Sequence, residues 1–383
     1  MKKIIVSLTI VACVTGYVSE IKAQNDISNI FKAGVTDLNK VANGYLTPVG
    51  NCFSAGLGSN WYNTAEVHKP FGFDLTVGVG VVQAPVEDQL FSLVGLTNLR
   101  PTIAGTTQAP TLVGTGKGVE LNLMQPKTLG GGVANPLWNN GTGKISSFTT
   151  PGGLSQYIPT ASVQLTLGLP LINDVSVRYV PKVSQSGFEL SMWGVGIKHN
   201  FKQWIPGVKL LPFDASILVA YNKFDVKYAF PTSAQITPDM LVGSDFAHEQ
   251  STADYSNQAM SISANALTAN VLISKKLAFI TPYLGFGVTK TTFDLSMTGN
   301  YPALGDLKTQ VINGVTGPAL SADGKPIMQI ANLTDPIKIS SSEVMPNATV
   351  GLRLKLFWIL TLSGQYTFQK YSVASVGVGL NIR

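Results

Sequence analysis

From Asn347 to Arg383 the chain alternates with a period of two: Ala348, Val350, Leu352, Leu354 and Leu356 are apolar, while Asn347, Thr349, Gly351, Arg353 and Lys355 interleave with them. After a reversal at Phe357 and Trp358 the pattern resumes through Leu360, Leu362, Tyr366 and Phe368, and again through Ala374, Val376, Val378, Leu380 and Ile382. Such alternation puts successive side chains on opposite faces of a strand. The same period appears from Phe71 to Val81 and from Ala161 to Leu169. Each run lasts about ten residues, longer than the ~6 of an ordinary sheet and close to the ~9–11 that cross a hydrocarbon layer at a tilt. The pattern predicts an all-β fold, a transmembrane antiparallel up-and-down β-barrel.

Connection lengths support the same reading, because membrane barrels carry short turns at one end and long loops at the other. Short reversals fall at Leu171 to Asp174, at Lys275-Lys276 and at Phe357-Trp358. Long loops run from Thr232 to Gln258 and from Gly299 to Glu343. The region from Gln83 to Tyr157 is too long for a plain loop, and Gly118 to Met124 has strand character, so an extra hairpin is expected there. Ten strands are clear, and about twelve are expected, within roughly ten to fourteen. Aromatic residues at strand ends, Phe71, Tyr157, Tyr179, Trp204, Phe213, Tyr228, Tyr283, Phe357, Trp358 and Tyr371, are candidates for interfacial girdles. Pro181, Pro282 and Pro346 are placed near strand ends, where little pairing is lost.

The start of the chain reads differently. Lys2 and Lys3 precede the apolar run Ile4 to Val14, too short to span a bilayer, and Ala23 offers a small residue for cleavage. Residues 1–23 are therefore expected to be a signal peptide, with cleavage after Ala12 and lipidation of Cys13 as the competing reading. Residues 24–62 follow as an N-terminal helix and candidate plug, and residues 63–383 as the barrel; the helix has three homes open to it, the lumen, the periplasmic rim and the membrane surface, the last disfavoured because Lys32 and Lys40 are its only basic residues. Ile27, Ile30, Phe31, Val35, Leu38 and Ala42 fall at helical spacing, with Asp26 as cap and Asn43-Gly44 as the end. Asn51 to Tyr62 is expected to be plug structure or an additional strand.

Composition narrows the picture. Charged residues make up only 13% and glycines number 38, which is unusual for a soluble enzyme. Removing Lys2, Lys3, Lys22 and Glu20 with the signal lowers the formal charge from +6 to +4. Cys52 is then the only cysteine, so no internal disulfide is available. No nucleic-acid partner is expected.

The chain holds three histidines, His68, His199 and His248, a thin supply for acid–base catalysis. Gly153-Leu154-Ser155-Gln156-Tyr157 lacks the second glycine of a nucleophile elbow, and Gly141-Thr142-Gly143-Lys144-Ile145 lacks the spacing of a phosphate loop. Asp239, Asp245, Glu249 and Asp254 share one loop but match no calcium pattern. No catalytic, cofactor-binding or metal residue is assigned, and the chain is not expected to be an enzyme. If alternation assigns the faces, the lumen carries Asp74, Gln164, Arg178, Lys198, Asp214, Asn270, Arg353, Lys355, Gln365 and Gln369. That set has four basic and two acidic groups, able to line a wet channel favouring anions or to pair into a closed core.

Two stretches carry a resemblance: Gly56-Leu57-Gly58-Ser59-Asn60-Trp61-Tyr62 leading to His68-Lys69-Pro70-Phe71-Gly72-Phe73-Asp74, and Trp193-Gly194-Val195-Gly196-Ile197-Lys198-His199 leading to Gln203-Trp204-Ile205-Pro206-Gly207. With the C-terminal strands, they resemble an uncharacterised family of Bacteroidota outer-membrane proteins over most of the mature chain. A helix and glycine-rich stretch before a barrel is also similar in architecture to the long-chain fatty-acid transporter family, which implies transport of hydrophobic compounds. The ending Asn381-Ile382-Arg383 departs from the terminal aromatic of many such barrels. The expectation is an outer-membrane channel or transporter for a small solute, hydrophobic as far as the second resemblance implies, in contact with outer-membrane lipid. The alternative is a structural barrel whose long extracellular loops bind a protein partner.

Overall fold

In a computed structural model the described residues are 35–124, 144–171, 173–185, 187–205, 212–242, 246–312 and 314–382. The signal segment, Asp26, Ile27, Ile30, Phe31, Gly141 to Gly143 and Asp245 lie outside them. Ten strands close into one antiparallel barrel. They are β1 (Phe73–Gln83), β2 (Tyr157–Leu169), β3 (Asn173–Gln185), β4 (Phe188–Asn200), β5 (Asp214–Ala229), β6 (Ala259–Ser274), β7 (Ile280–Thr298), β8 (Ile337–Leu356), β9 (Leu360–Phe368) and β10 (Val373–Ile382). Each pairs with its neighbours in sequence, and β1 closes the ring against β10, from Phe73 opposite Ile382 to Val82 opposite Val373. The count stands at the lower end of the expected range. Glu120–Met124, the expected extra hairpin, is not in the wall but pairs with Leu99–Pro101 and Lys144–Thr149 in a separate small sheet above it.

Along the longer strands the two faces exchange character. On β7 the outward residues run Leu284, Phe286 and Val288, then Lys290, Thr292, Asp294 and Ser296. Its inward residues run Thr281, Gly285, Thr289 and Thr291, then Phe293, Leu295 and Met297. Strands β5 and β6 change over at the same level, with Leu218 and Asn222 giving way inside to Phe224 and Val226, and Leu267 giving way outside to Asn265 and Ser263. The lower part of the wall is thus apolar outside, as hydrocarbon demands. The upper part is polar outside and apolar inside, like a soluble protein.

Aromatics mark the boundaries. Trp193 and Tyr221 pack together on the outer face, ring centroids 5.3 Å apart and planes tilted by 52°, at the changeover. At the turn end Phe71, Trp204, Phe357 and Trp358 are 92%, 68%, 84% and 90% exposed. Phe357 and Trp358 form the β8–β9 reversal with φ of 47° and 72°. Two bulky residues held left-handed cost roughly 1–3 kcal/mol each, a cost that interfacial anchoring offsets. Tyr283 and Tyr371, expected in the girdles, are instead buried at 2% and 0% exposure, because their positions face inward. Pro346 is also displaced from expectation: it sits mid-strand on β8 opposite Val288 of β7. The bond from Lys355 N–H to Phe279 C=O makes odd-numbered β8 residues the ones bonded to β7. Pro346 therefore faces the β9 side, beyond the last β9 residue, Phe368, and no ladder bond is lost.

The lumen holds the N-terminal segment. Helix α1 (Val35–Leu57) runs down from the loop end, followed by an extended passage through residues 58–72 to β1. The helix does not stop at Asn43-Gly44 as expected but continues through Pro48 to Leu57, so Asn51 to Leu57 is helix and not strand. Burial explains the override: Leu38, Leu57 and the half-buried Ala42, Leu46 and Phe53 pack on Phe224, Phe293, Leu295 and Ile339 of the upper wall. On the facing side Cys52 and Ala55 pack on Val82, Met345, Tyr371 and Val373. No helix among the described residues is long and apolar enough to cross a membrane.

Candidate functional site

Two places in the barrel combine buried polar groups with an interruption of regular structure: the polar lower lumen and a gap in the wall. The lower lumen is filled by residues 57–68. Trp61 lies over Gly194 and Gly196, where an added Cβ would come within 3.0 and 3.1 Å of its ring atoms. Tyr62 lies over Gly285, where a Cβ would meet its hydroxyl at 2.1 Å. These wall glycines are the room the plug occupies.

Arg178 of β3, 1% exposed, grips the end of α1. Its Nη1 donates to Leu57 C=O at 3.2 Å, and its Nη2 donates to Ser59 and Asn60 C=O at 3.0 and 2.7 Å. Its Nε donates to Gln164 Oε1 at 3.0 Å, and the guanidinium lies 3.8 Å from the centroid of the Trp61 ring. The guanidinium takes the place of a C-terminal cap, bonding carbonyls a helix end leaves unpaired, at the negative end of its dipole.

A second network pins the segment at the turn end. Asp174, fully buried, accepts the His68 backbone N–H at 2.9 Å, lies 3.0 Å from His68 Nδ1 and 3.0 Å from Lys198 Nζ. Lys198 also donates to Glu66 C=O at 3.0 Å. Asn381 of β10 donates from Nδ2 to His68 Nε2 at 2.7 Å and to Asp74 Oδ2 at 2.9 Å. With Nε2 accepting from Asn381, Nδ1 is the ring nitrogen left to donate to Asp174. The pair has the look of a catalytic base and its carboxylate, but the nitrogen that would face a nucleophile is held by Asn381. Arg353 lies 3.9 Å from Asp74.

At the loop end the helix is held again. The fully buried Asp37 accepts backbone N–H groups from Thr97, Asn98 and Leu99 at 2.8, 2.7 and 2.9 Å. Asn51 donates to Tyr371 Oη at 3.2 Å and to Glu343 at 3.3 Å, while Tyr371 donates to Asp88 at 2.5 Å. Lys370 bridges Glu343 and Asp88 at 2.9 and 3.3 Å. Burial works against its charge, but the bond to Glu343 and the two carboxylates hold Lys370 above its ordinary value.

The gap lies between β2 and β3. Their pairing runs only from Leu169 opposite Asn173 up to Gln164 opposite Arg178, although both strands continue toward the loops. Tyr157 to Val163 pairs with β1 alone. Bonds from Ala84 N–H to Gln156 C=O and from Gly168 N–H to Gly72 C=O make even-numbered β2 residues the ones bonded to β1. Odd-numbered residues of β2 therefore point at β3. On β4, the bonds Phe201 N–H to Ala215 C=O and Ala229 N–H to Gly187 C=O commit odd-numbered residues to β5, which leaves odd-numbered β3 residues facing β2 as far as Val180, above which a register shift sets Val183 opposite Leu190 of β4. Were the ladder to continue in register, Ala161 would oppose Pro181 and Pro159 would oppose Val183. Each proline lacks the N–H that position needs.

Behind this slot is a space of about 40 Å³, roofed by Phe53, Leu57, Val180, Leu190, Met192 and Phe224 and floored by Arg178, Asn222, Ser59 and Ser162. Further spaces within the lumen measure about 30 and 10 Å³. None admits a solute without movement of the plug.

The lumenal assignment made from alternation agrees with burial at Asp74, Gln164, Arg178, Lys198, Asn270, Arg353 and Gln365. Asp174 and Asn381, which the sequence did not single out, hold the turn-end network, and Pro159 was likewise missed. The other candidates are not brought together. His199 Nδ1 lies 2.7 Å from Asn173 Oδ1, and its ring packs on Trp204 at 4.5 Å. Ser155 bonds its own turn, accepting Tyr157 N–H at 3.0 Å. Asp239 meets His248 at 2.8 Å and Glu249 meets Lys308 at 2.5 Å, and among the described residues no group of His, Cys, Asp and Glu forms a metal site.

Wall, apolar band and filled lumen define a plugged transmembrane β-barrel. The chain belongs to the family described as a family of unknown function (DUF6588), which matches residues 1–382. Comparison with curated proteins finds no match. Similar solved structures include the attachment invasion locus protein Ail of Yersinia pestis, at 6% identity and TM-score 0.26, covering 82% of this chain and 99% of that one. They also include the translocator domain of the autotransporter NalP from Neisseria meningitidis, at 8% identity and TM-score 0.27, covering 87% and 92%. The toluene transporter TbuX of Ralstonia pickettii is similar at 6% identity and TM-score 0.24, covering 87% and 98%. At these scores the likenesses carry no argument, and the architecture rests on the strand pairing itself.

Proposed function

We propose that the protein is a bacterial outer-membrane barrel that passes a small apolar solute sideways, from the loop end through the β2–β3 slot into the surrounding lipid. The slot carries this reading. Register places Pro159 and Ala161 of β2 beside Val81 and Val79 of β1, both exposed on the apolar outer band. The unpaired stretch therefore opens at hydrocarbon depth. Straight passage is opposed by the polar plug held by Arg178, Asp174 and Asn381, whereas the space behind the slot is roofed by apolar side chains. Within that space an apolar solute would lie against apolar side chains above the Arg178 floor.

The test bridges the slot. In a Cys52→Ala background, cysteines replace Ala161 and Pro181, and a short bifunctional thiol reagent with a cleavable linker joins them. Uptake of a monoaromatic probe into lipid vesicles carrying the refolded protein is expected to fall on bridging and recover on cleavage. Equal uptake in bridged and unbridged protein would remove the slot from the route. Fractionation of cells expressing the full chain, with the mature N-terminus sequenced, tests outer-membrane location and cleavage after Ala23.

A second reading has support from the loops. Ala247–His248, Asn300–Leu307 and Ile327–Thr334 form an ordered sheet beyond the wall, and the hairpin of Thr309–Ile312 with Val315–Pro318 exposes Val311 and Ile312 at 67% and 59%. Apolar side chains at a loop tip are a contact for a protein partner. Deleting that hairpin separates the readings: partner capture is lost while solute uptake is kept.

A further inference from the structure

The space behind the β2–β3 slot has a floor whose hydrogen bonds are unfinished. Its lining reaches from Val79 of β1 and Ala161 of β2, at strand positions that face outward, to Asn222 of β5, fully buried in the lumen, so it runs inward from the slot. Asn222 Nδ2 donates to Leu57 C=O at 3.4 Å and approaches Met192 Sδ at 3.9 Å, while Oδ1 has no hydrogen-bond partner among the described residues. Gly194 stands between the two floor residues, opposite Arg178 on one side and Asn222 on the other, and a Cβ there would come within 2.7 Å of that oxygen. Asn222 Oδ1 therefore lies over the wall between the two. A guanidinium has five N–H groups, and the four bonds of Arg178 to Gln164, Leu57, Ser59 and Asn60 leave one Nη1 hydrogen uncommitted. Nη1 and Asn222 Nδ2 bond the same Leu57 carbonyl, so the spare donor and the unpartnered acceptor belong to neighbouring groups. The Ser59 hydroxyl does not answer Oδ1, because it donates to Gly56 C=O at 2.8 Å.

We infer that this floor seats the hydroxyl of an alcohol or phenol, so that the solute taken by the slot is an apolar molecule carrying one hydroxyl group. The inference rests on the sideways route proposed above and names its cargo. A hydroxyl both gives and takes: its hydrogen goes to Asn222 Oδ1, and its oxygen receives the remaining Nη1 hydrogen of Arg178. A plain hydrocarbon would leave Oδ1 buried and unpaired. A carboxylate would answer the Arg178 charge, but that charge already meets three backbone carbonyls, Gln164 Oε1 and the Trp61 ring, and a carboxylate would set acceptor against acceptor at Asn222. The size of the space adds an orientation. About 40 Å³ holds on the order of three waters, enough for a polar head and not for a whole solute. The apolar remainder lies toward the slot, against Phe53, Val180, Leu190 and Phe224 and beside Pro159 and Ala161. The hydroxyl is thus the inner end and the hydrocarbon the end that meets lipid first.

The experiment reads binding and not passage. The full mature chain in nanodiscs is dialysed to equilibrium against para-propylphenol, para-propyltoluene and para-propylbenzoate, with the uptake of protein-free nanodiscs subtracted. The phenol is expected to bind roughly tenfold more tightly than the hydrocarbon of the same shape, the ratio that one hydrogen bond supplies. Asn222→Leu is expected to level the two, and Asn222→Ala, which cannot overfill the site, to do the same. Asn222→Asp keeps the acceptor and is expected to keep the preference. Equal binding of phenol and hydrocarbon by the unaltered protein would overturn the inference, as would a preference that survives in heat-modifiable Asn222→Leu and Asn222→Ala protein. Tightest binding of the benzoate would also overturn it, since Arg178 would then be the seat of an anion. The route is judged apart: uptake unaltered by bridging the slot fails the route and leaves the hydroxyl seat standing, whereas uptake closed by bridging, with equal dialysis ratios, fails the seat alone.

Discussion

Pro159 of β2 and Pro181 of β3 turn their missing N–H groups toward the same gap, Pro159 lying two residues beyond the β2 position that the pairing below would set opposite Pro181. Either proline alone would delete one ladder bond. Together with the register shift between Val180 and Val183 of β3, they remove backbone donors from both edges of the gap, so the slot is favoured by the backbone itself. Replacing both with valine restores both donors and offers β-favouring side chains. The double variant is expected to unfold at higher temperature, followed by heat-modifiable gel mobility, and to pass less apolar probe. Faster passage in the zipped variant would contradict a lateral route.

Arg178 ties the helix end to the wall, and its removal leaves the carbonyls of Leu57, Ser59 and Asn60 without that donor. Arg178→Ala is expected to cost about 3 kcal/mol, the range for stranding buried polar partners. Arg178→Lys keeps the charge but not the fork, and falls between. Urea titration read by Trp fluorescence checks the order.

At the turn end, Asp174→Asn removes the charge facing Lys198 and weakens the hold on His68. The expected result is release of residues 63–70 with the wall intact, read as new protease cleavage there while the barrel keeps its heat-modifiable mobility. Loss of the folded barrel altogether would instead make Asp174 part of the wall's own stability.

His248 gives a pH-dependent loop contact. Its bond to Glu249 C=O and its pairing with Asp239 raise its pKa above the ordinary value, against a smaller opposing effect of burial. A raised value in the folded state means the contact is fully present below the ordinary histidine value of ~6.5 and is lost as pH rises through the folded value. Proteolysis of the loop holding Pro238–Val242 is therefore expected to accelerate toward alkaline pH, and H248N to remove the dependence. An unchanged profile in H248N would assign the effect elsewhere.

Wall and lumen were legible in the sequence to different degrees. Alternation reports which residues share a face, so the wall strands and lumenal polar residues such as Asp74, Arg178 and Arg353 could be read directly. It does not report a change in what each face meets, and the upper wall, with Phe293 and Leu295 inside and Asp294 outside, keeps its period while inverting its meaning. That is why β8 begins at Ile337, inside what looked like a loop from Gly299 to Glu343. Asn43-Gly44 resembles a helix end, yet burial of Leu46 and Phe53 against the wall outweighs local preference. The slot was not visible, because a proline's effect on a ladder depends on which neighbour its nitrogen faces.

The apolar interior of the upper wall also constrains how the molecule is made. Without α1, the inward faces of Phe224, Phe293, Leu295 and Ile339 would surround an empty shaft. The helix leaves the ribosome before any strand, and the last strand, β10, is the one that seals against β1. Closure around a helix already in place avoids threading a rod roughly 10 Å wide up a finished cylinder. The N-terminal segment is then the mandrel on which the barrel is wound, and its deletion is a defect of assembly before it is a change of permeability.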